Sequence, residues 1–404
     1  MKVGRWRFAL AIAIMLWPAL STRAQSPELM DAFRQYQALN QQGEYTAALP
    51  FAKKALRLGE REFGPDDENT ATLLNYLARL YRAQGRYGDA EPLYKRSLGI
   101  LEETLGPEHP DVASGLNSLA LLYYVQSRYG DAEPLYKRTL VIWEETLGPD
   151  HPNVATGLNN LAGLYDTQGR YAEAEPLYKR ALGIVEKALG PEHLRVATSL
   201  NNLAELYRAL RRNAKAEPLY KRSLAIFEKA LGPNHPDVST SLNNLATLYE
   251  AQGRYYDAEP LYKRSLGIRE KTLGPEHPDV ATSLNNLAAL YRAQRRYAEA
   301  ELLYKRSLGI LEKTLGPEHP NVAAGLNNLA LLYRAQGRHA EAEPLYRRSL
   351  GMREKTLGPE HPDVAQSLEN YAFLLRKTGH DAEAARMEMR AKKMRIKHPE
   401  WTAP

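Results

Sequence analysis

The sequence predicts an all-α fold, a right-handed α-solenoid of about nine helix pairs, and three observations carry that reading. Gly64, Gly106, Gly148, Gly190, Gly232, Gly274, Gly316 and Gly358 stand 42 residues apart, each followed by Pro. Between successive Gly-Pro pairs, apolar residues recur at helical spacing in two runs separated by a short turn. Residues that start and stop helices sit at the ends of both runs. A period of this length marks a stacked array in which each unit buries apolar surface only against its neighbours.

Residues 1–24 read as a secretory leader. Lys2, Arg5 and Arg7 form a charged start, Phe8 to Leu20 an apolar run, and Thr22-Arg23-Ala24 puts small residues before a cut at Gln25. The competing reading is an uncleaved anchor, but the run is 13 residues long and broken by Pro18, whereas a span needs about 20. The expected location is the periplasm or the exterior, with no stable membrane span after cleavage. Residues 25–63 form a divergent first helix pair, in which Tyr45 aligns with Tyr87 and Tyr129.

The tandem array covers 64–380, and residues 148–189 show one unit. Val154, Leu158, Leu161, Ala162 and Tyr165 line one helical face, and Ala174, Leu177, Tyr178, Ala181, Leu182 and Val185 line a second. Gln168-Gly169-Arg170 is the turn between them, where Gly takes positive φ without strain. Gly190 suits the position just past a helix end, and Pro191 prevents continuation. His then precedes Pro and an acid or Asn, as in His151-Pro152-Asn153, which suits a first helical turn. Pro176 lies about one turn into the second helix and should bend it near its start; Leu302 replaces this Pro once. Residues 381–404 form a capping helix and tail that depart from the repeat. Ends of this kind stop end-to-end stacking, so a monomer is expected. Met387, Met389 and Met394 are expected to pack on the last repeat, with a membrane-surface role as the alternative.

Composition removes several function classes. There is no cysteine, hence no thiolate metal site or thiol nucleophile. The net charge of +6 resides in the ends, since 1–24 and 386–404 each contribute +4 and leave the body near −2. A nucleic-acid binder would spread positive charge along its working face. His109, His151, His193, His235, His277, His319 and His361 occur once per repeat, a whole helix pair apart, too far for shared coordination. No phosphate loop, zinc-helix or nucleophile-elbow motif occurs. The expectation is a non-enzyme without cofactor or metal.

The spacing Leu158, Leu161, Ala162, Tyr165, Ala174, Tyr178 and Ala181 resembles the tetratricopeptide (TPR) repeat. The wording Leu-Asn-Asn-Leu-Ala-x-Leu-Tyr, Ala-Glu-Pro-Leu-Tyr-Lys-Arg-Ser-Leu and Glu-Lys-Thr-Leu-Gly-Pro-Glu-His-Pro is similar to kinesin light chain-type repeats across about 64–380. That resemblance implies a right-handed superhelix whose first helices line an inner groove for extended peptides. Light chains carry a heptad coiled coil before their repeats; here a leader and one further helix pair occupy that position.

On a helical wheel Thr156, Asn159, Gly163 and Asp166 form a stripe beside the buried one, and by resemblance it faces the groove. Asn recurs at its second position, as Asn75, Asn117, Asn159, Asn201, Asn243, Asn285 and Asn327. These amides can serve the backbone of a bound peptide or bond between neighbouring helices, and both readings stand. The last stripe position varies: Arg82, Tyr124, Asp166, Arg208, Glu250, Arg292, Arg334 and Arg376. Arg292 and Arg334 can take a carboxylate or remain solvated charge. The unit at 193–231 deviates most, with His193-Leu194-Arg195 and Arg211-Arg212-Asn213-Ala214-Lys215 in place of the usual wording, through special contact or neutral drift. The expected function is a scaffold for protein or peptide partners, with extended and acidic segments favoured. The alternatives are a self-associating structural array and, if the leader is no signal, a cytoplasmic-type adaptor.

Overall fold

The computed structural model describes residues 26–397; the leader segment lies outside them. Among the described residues there are eighteen α-helices and no strand. The chain divides into two compact units, Met1–Ile226 and Phe227–Pro404, with the division inside one helix.

In the first unit the pairs are α1 (Pro27–Gln41) with α2 (Tyr45–Glu62), α3 (Glu68–Ala83) with α4 (Tyr87–Leu105), α5 (Pro110–Val125) with α6 (Tyr129–Leu147), and α7 (Pro152–Thr167) with α8 (Tyr171–Leu189). They are followed by α9 (Leu194–Ala209) and α10 (Asn213–Leu231), in which the division falls. The second unit holds α11 (Pro236–Ala251) with α12 (Tyr255–Leu273), α13 (Pro278–Ala293) with α14 (Tyr297–Leu315), α15 (Pro320–Ala335) with α16 (His339–Leu357), and α17 (Pro362–Lys377) with α18 (Asp381–Lys397). Within each unit helices pack in chain order, and second helices also rest on the next first helix, as α4 does on α5 and α14 on α15.

Apolar contacts run from pair to pair. One cluster joins Val280, Ala281 and Leu284 of α13, Ile310 and Leu311 of α14, Val322, Ala323 and Leu326 of α15, and Met352 of α16. Burying one such Leu or Ile is worth about 1.5–3 kcal/mol. No repeat closes this core alone, because its apolar atoms come from two consecutive pairs.

Polar latches repeat with the same period. Ser97 Oγ donates to the Ala71 carbonyl at 2.7 Å, and Ser223, Ser265, Ser307 and Ser349 do likewise to Ala197, Ser239, Ala281 and Ala323. Consecutive second helices are tied by Arg96–Glu60, Arg138–Glu102, Arg180–Glu144, Arg264–Glu228 and Arg306–Glu270 at 2.6–2.7 Å. A third latch recurs at the intra-pair turns of Arg128, Arg170, Arg212, Arg296 and Arg338. Glu133 accepts from Arg170 at 2.7 Å and Tyr165 at 3.1 Å, while the Arg170 guanidinium lies 3.9 Å over the Tyr165 ring. Partial burial opposes ionisation of Glu133, yet its hydrogen bonds from Arg170, Lys137 and Tyr165 bring its carboxyl down to about 2.

Both kinds of glycine have a backbone reason. Gly169 (φ 75°) is the left-handed residue of a Schellman turn, with its N–H on the Asp166 carbonyl and that of Arg170 on the Tyr165 carbonyl. Gly190 and its equivalents instead cap the second helices at φ near 86° and ψ near 155°, a region reserved for glycine. They are extended mirror-image residues rather than left-handed terminators. The deviating unit keeps the Schellman geometry: Arg211 has φ 55° and its N–H reaches the Arg208 carbonyl at 3.0 Å. Its turn latch also survives, through Arg212 on Glu175 at 2.9 Å.

The recurring His is a helix cap. Nδ1 of His109, His151, His193, His235, His277, His319 and His361 accepts the backbone N–H two residues on, at 3.0–3.2 Å. This fixes the proton on Nε2 and satisfies one of the orphan donors of the helix start. His193 caps α9 although Pro and acid are missing there. The second helices that carry the Pro run through it unbroken, as α8 does through Pro176. The last helix corrects the methionine expectation: Met394 is buried at 4% exposure, but Met389 is 71% exposed. The basic residues of α18 enter the latches, with Arg390 on Glu354, Arg395 on Glu369 and Lys397 on Glu360.

Two outcomes are expected. Gly316→Ala meets no steric obstacle, yet forces a non-glycine residue into φ 90°, and should cost about 1–3 kcal/mol. Hydrogen exchange should show faster opening of α14 and α15, and unchanged protection would contradict the backbone argument. At α17, burial lowers the His361 imidazole to about 4, with Arg353 opposing its charge and Asp363 favouring it. The unfolded chain takes up that proton first, so stability is complete above pH ~6.5 and falls as pH drops toward 4. The loss should be on the order of 2 kcal/mol and should flatten in His361→Asn, as read by denaturation at pH 7 and pH 4.5.

Candidate functional site

The stripe singled out by the helical wheel lies along the first helices, and each unit presents its own part of it. In the first unit the Asn residues form a ladder from one first helix to the next: Asn160 Nδ2 donates to Asn117 Oδ1 at 2.7 Å, and Asn202 Nδ2 to Asn159 Oδ1 at 3.5 Å. Asn159 Nδ2 also reaches Ser199 Oγ at 3.2 Å, and Asn201 is 6% exposed. In the second unit Asn286 donates to Asn243 at 2.8 Å, Asn328 to Asn285 at 2.9 Å and Asn370 to Asn327 at 3.1 Å. The side-chain oxygens of Asn117, Asn159, Asn243, Asn285 and Asn327 thus serve the stack, and Asn285 and Asn327 are buried. The partner is the residue that follows the row position in the next repeat, 43 residues on, which a wheel of a single helix does not pair.

Behind the last stripe position stands a second row that the sequence reading took only as core. These are the tyrosines of Leu-Tyr-Lys-Arg on the second helices, 12 residues after each variable position. Tyr94, Tyr136, Tyr178 and Tyr220 in the first unit, and Tyr262, Tyr304 and Tyr346 in the second, are at most 2% exposed. A fully buried phenol wants a partner for its hydroxyl, and the variable residue and the residue three before it are the positions that supply one at Tyr220 and Tyr262.

The first unit shows several solutions. Glu205 accepts from Arg208 Nε at 2.9 Å and from Tyr220 OH at 2.7 Å. Arg208 is therefore a neutralised member of the row, forked onto its own chain's carboxylate. Tyr124 shares a hydrogen bond with Thr167 at 2.7 Å, and burial pushes its hydroxyl far up. At the other end of this unit Arg82 Nε and Tyr94 OH are buried with no hydrogen-bond partner.

In the second unit Tyr262 OH is held by Glu250 at 2.8 Å and Thr247 at 2.9 Å. Arg292 and Arg334 differ. Burial raises the Tyr304 hydroxyl while Arg292 beside it pulls the other way, and the buried Arg292 Nε has no hydrogen-bond partner. Arg334 lies over the half-exposed Phe373 ring at 4.6 Å. Among the described residues no carboxylate pairs with either guanidinium. Tyr346 OH is buried without a partner; burial pushes it up to about 12, while Arg334 and Arg292 pull the other way. Arg376 closes the row on Glu388 at 2.8 Å and Asp381 at 3.2 Å. Among the described residues no group of three or more acids or histidines could hold a metal, and no helix is long and apolar enough to cross a membrane.

Stacked helix pairs with a recurring small–aromatic interface and one variable face define a helical-repeat protein. The tetratricopeptide repeat pattern matches in overlapping stretches at 37–103, 84–140, 111–187, 167–229, 195–271, 237–313, 303–355 and 321–397. The chain belongs to the tetratricopeptide repeat family. Among solved structures it is similar to a kinesin light chain-type protein of Podospora anserina with nearly identical TPR-like repeats: 33% identity over 51% of this chain and 98% of that one, TM-score 0.43. BtubC (BKLC) of P. vanneervenii is 27% identical over 62% of this chain and 93% of its own, TM-score 0.45. A Rap protein complexed with competence and sporulation factor shares the fold more completely, at TM-score 0.60 over 93% of this chain and 100% of that one, with 14% identity. No curated protein matches the chain.

The Asn ladder makes a stability prediction. Asn328→Ala leaves the buried Asn285 Oδ1 without its donor and should cost about 1–3 kcal/mol. A shift of the denaturation midpoint checks it, and an unshifted midpoint would remove the ladder from the forces that order the stack.

Proposed function

We propose that this protein is a non-enzymatic scaffold that binds extended protein or peptide segments along its first-helix face, working in the periplasm or outside the cell. The observation that carries the reading is a division of labour between residues. The charged residues that repeat without change are consumed by latches, whereas the last stripe position changes from repeat to repeat and ends at buried tyrosines. A scaffold needs an invariant stack and a variable surface, and an extended chain matches a surface that repeats along its length. The family and the fold support this reading; the leader segment of 1–24, with its charged start and short apolar run, supports the location. The row amides Asn117, Asn159, Asn201, Asn243, Asn285 and Asn327 contribute their remaining N–H groups to a bound backbone, and Arg82, Arg292 and Arg334 contribute charge. Arg208 orders the floor through Glu205. Self-association is disfavoured by the exposed polar residues of α18, such as Arg386 and Glu388.

A displayed library of random twelve-residue peptides, panned against the chain from Gln25 onward, tests the proposal. Enriched peptides should bind one to one, and Leu121→Arg on the first-helix face should weaken them at least tenfold, while Lys179→Glu on a second helix should not. Failure of any peptide to enrich, or equal loss in both variants, would overturn it.

A further inference from the structure

One position on the second helices is filled by Leu101, Trp143, Val185, Phe227 and Leu311, all buried. Three second helices of the second unit carry an arginine there instead: Arg269, Arg353 and Arg395. The three guanidinium groups differ in what meets the edge formed by Nε and Nη2.

At Arg269 two hydroxyls close that edge. Nε donates to Ser239 Oγ at 2.7 Å and Nη2 to Thr240 Oγ1 at 3.2 Å. At Arg395 a carboxylate closes it, with Nε on Glu369 Oε1 at 2.5 Å and Nη2 on Glu369 Oε2 at 2.8 Å. Arg353 has neither. Its Nη1 donates to the Asp363 carbonyl at 2.9 Å and to Ser367 Oγ at 2.7 Å, as Arg269 Nη1 does to Asp279 and Ser283. The counterparts of Ser239 and Thr240 are Ala323 and Ala324. The counterpart of Glu369 is Asn327, whose Oδ1 is taken by Asn370. Among the described residues nothing accepts from Arg353 Nε or Nη2, and no carboxylate stands within ion-pair distance.

Arg353 is 6% exposed, and burial works against its charge while Asp363 favours it. A buried cation is costly until an anion or a full set of acceptors meets it. The Arg395 fork shows that this edge takes an anion through both nitrogens. Ala323 and Ala324 also remove two hydroxyls and a methyl from the space that Ser239 and Thr240 fill at Arg269. That volume suits a monatomic ion rather than a tetrahedral oxyanion.

We infer that the Nε–Nη2 edge of Arg353 is a binding site for a small inorganic anion of the halide class, at the junction of α16 and α17. A bound ion completes the guanidinium, so Arg353 holds the first turn of α17 more firmly through Asp363 and Ser367. The site lies within the stack and is independent of the scaffold reading.

Hydrogen exchange of the chain from Gln25 onward is compared in 0.2 M sodium chloride and 0.2 M sodium gluconate, whose anion is too large to enter. Amides of α16 and α17 should exchange at least threefold more slowly in chloride. Those of α12 and α13, around Arg269, should agree within 1.5-fold. Arg353→Leu, which installs the residue found at Leu311, should abolish the difference. So should Ala323→Ser with Ala324→Thr, which supplies both hydroxyls from the chain; if that pair fails to fold, Arg353→Leu decides. Bromide soaked into crystals should give an anomalous peak within hydrogen-bond reach of Arg353 Nε and Nη2. A fork filled by water alone predicts equal exchange in both salts, and that result, or a bromide map empty at Arg353, would overturn the site. A chloride effect that persists in Arg353→Leu, or is equal at α12 and α13, would show a general salt effect and overturn it as well.

Discussion

A repeat in this chain cannot bury its apolar surface by itself. The Val280–Leu311–Leu326–Met352 cluster draws on four helices from two consecutive pairs, so burial exists only when a neighbour stands in register. Everything else in the structure follows from keeping that register. Ser97 and its equivalents bond a backbone carbonyl 26 residues earlier, the Arg96-type ion pairs reach 36 residues back and the turn arginines 37. Each exposed ion pair is worth little in isolation. Repeated in every unit at fixed separations, they specify which face meets which.

That demand explains how much of the sequence is taken up by structure and how little is left to vary. Glu175 of a second helix, for example, is already taken by Lys179, Arg212 and Tyr207 within the stack. The first-helix stripe is the surface on which substitution leaves the latches intact. A row of buried tyrosines sits behind the variable residues up to Arg334, and Glu388 takes that place behind Arg376. Glu205 and Glu250 satisfy the hydroxyls of Tyr220 and Tyr262 from within the chain, whereas Ala289 and Leu331 provide no acceptor.

The helices were legible because several signals coincide at each boundary. The 42-residue glycine, the apolar spacing and the His-Pro start gave pairs whose limits match the structure, including the divergent first pair and the last helix at 381–397. Even the deviating unit at 193–231 keeps its turn, since Arg211 accepts a left-handed backbone that Gly usually takes. The site was less legible. A wheel places Asn159 and Asn160 on one helix, but their bonds run to other repeats, through pairings 43 residues apart. The tyrosine row looked like core because it is core; its second role appears only when the hydroxyls are followed to Glu205 and Glu250. Arg208 and Arg334 are the same residue at equivalent positions, and only the residue three before each separates a filled fork from an open one. Met389 went astray because periodicity on a short final helix does not say which side its neighbour covers.

Register as the governing constraint is tested most directly by deletion. Removing Pro275–Gly316 takes out one whole 42-residue period and joins Gly274 to Pro317, recreating the Gly-Pro junction. Removing 275–295 takes out α13 alone. Circular dichroism with thermal unfolding should show the 42-residue deletion keeping its helicity per residue and a cooperative transition. The 21-residue deletion should lose both around the junction. If the two deletions behaved alike, or if the shorter one were the better folded, neighbour-only burial held in a fixed register would be the wrong description of this protein.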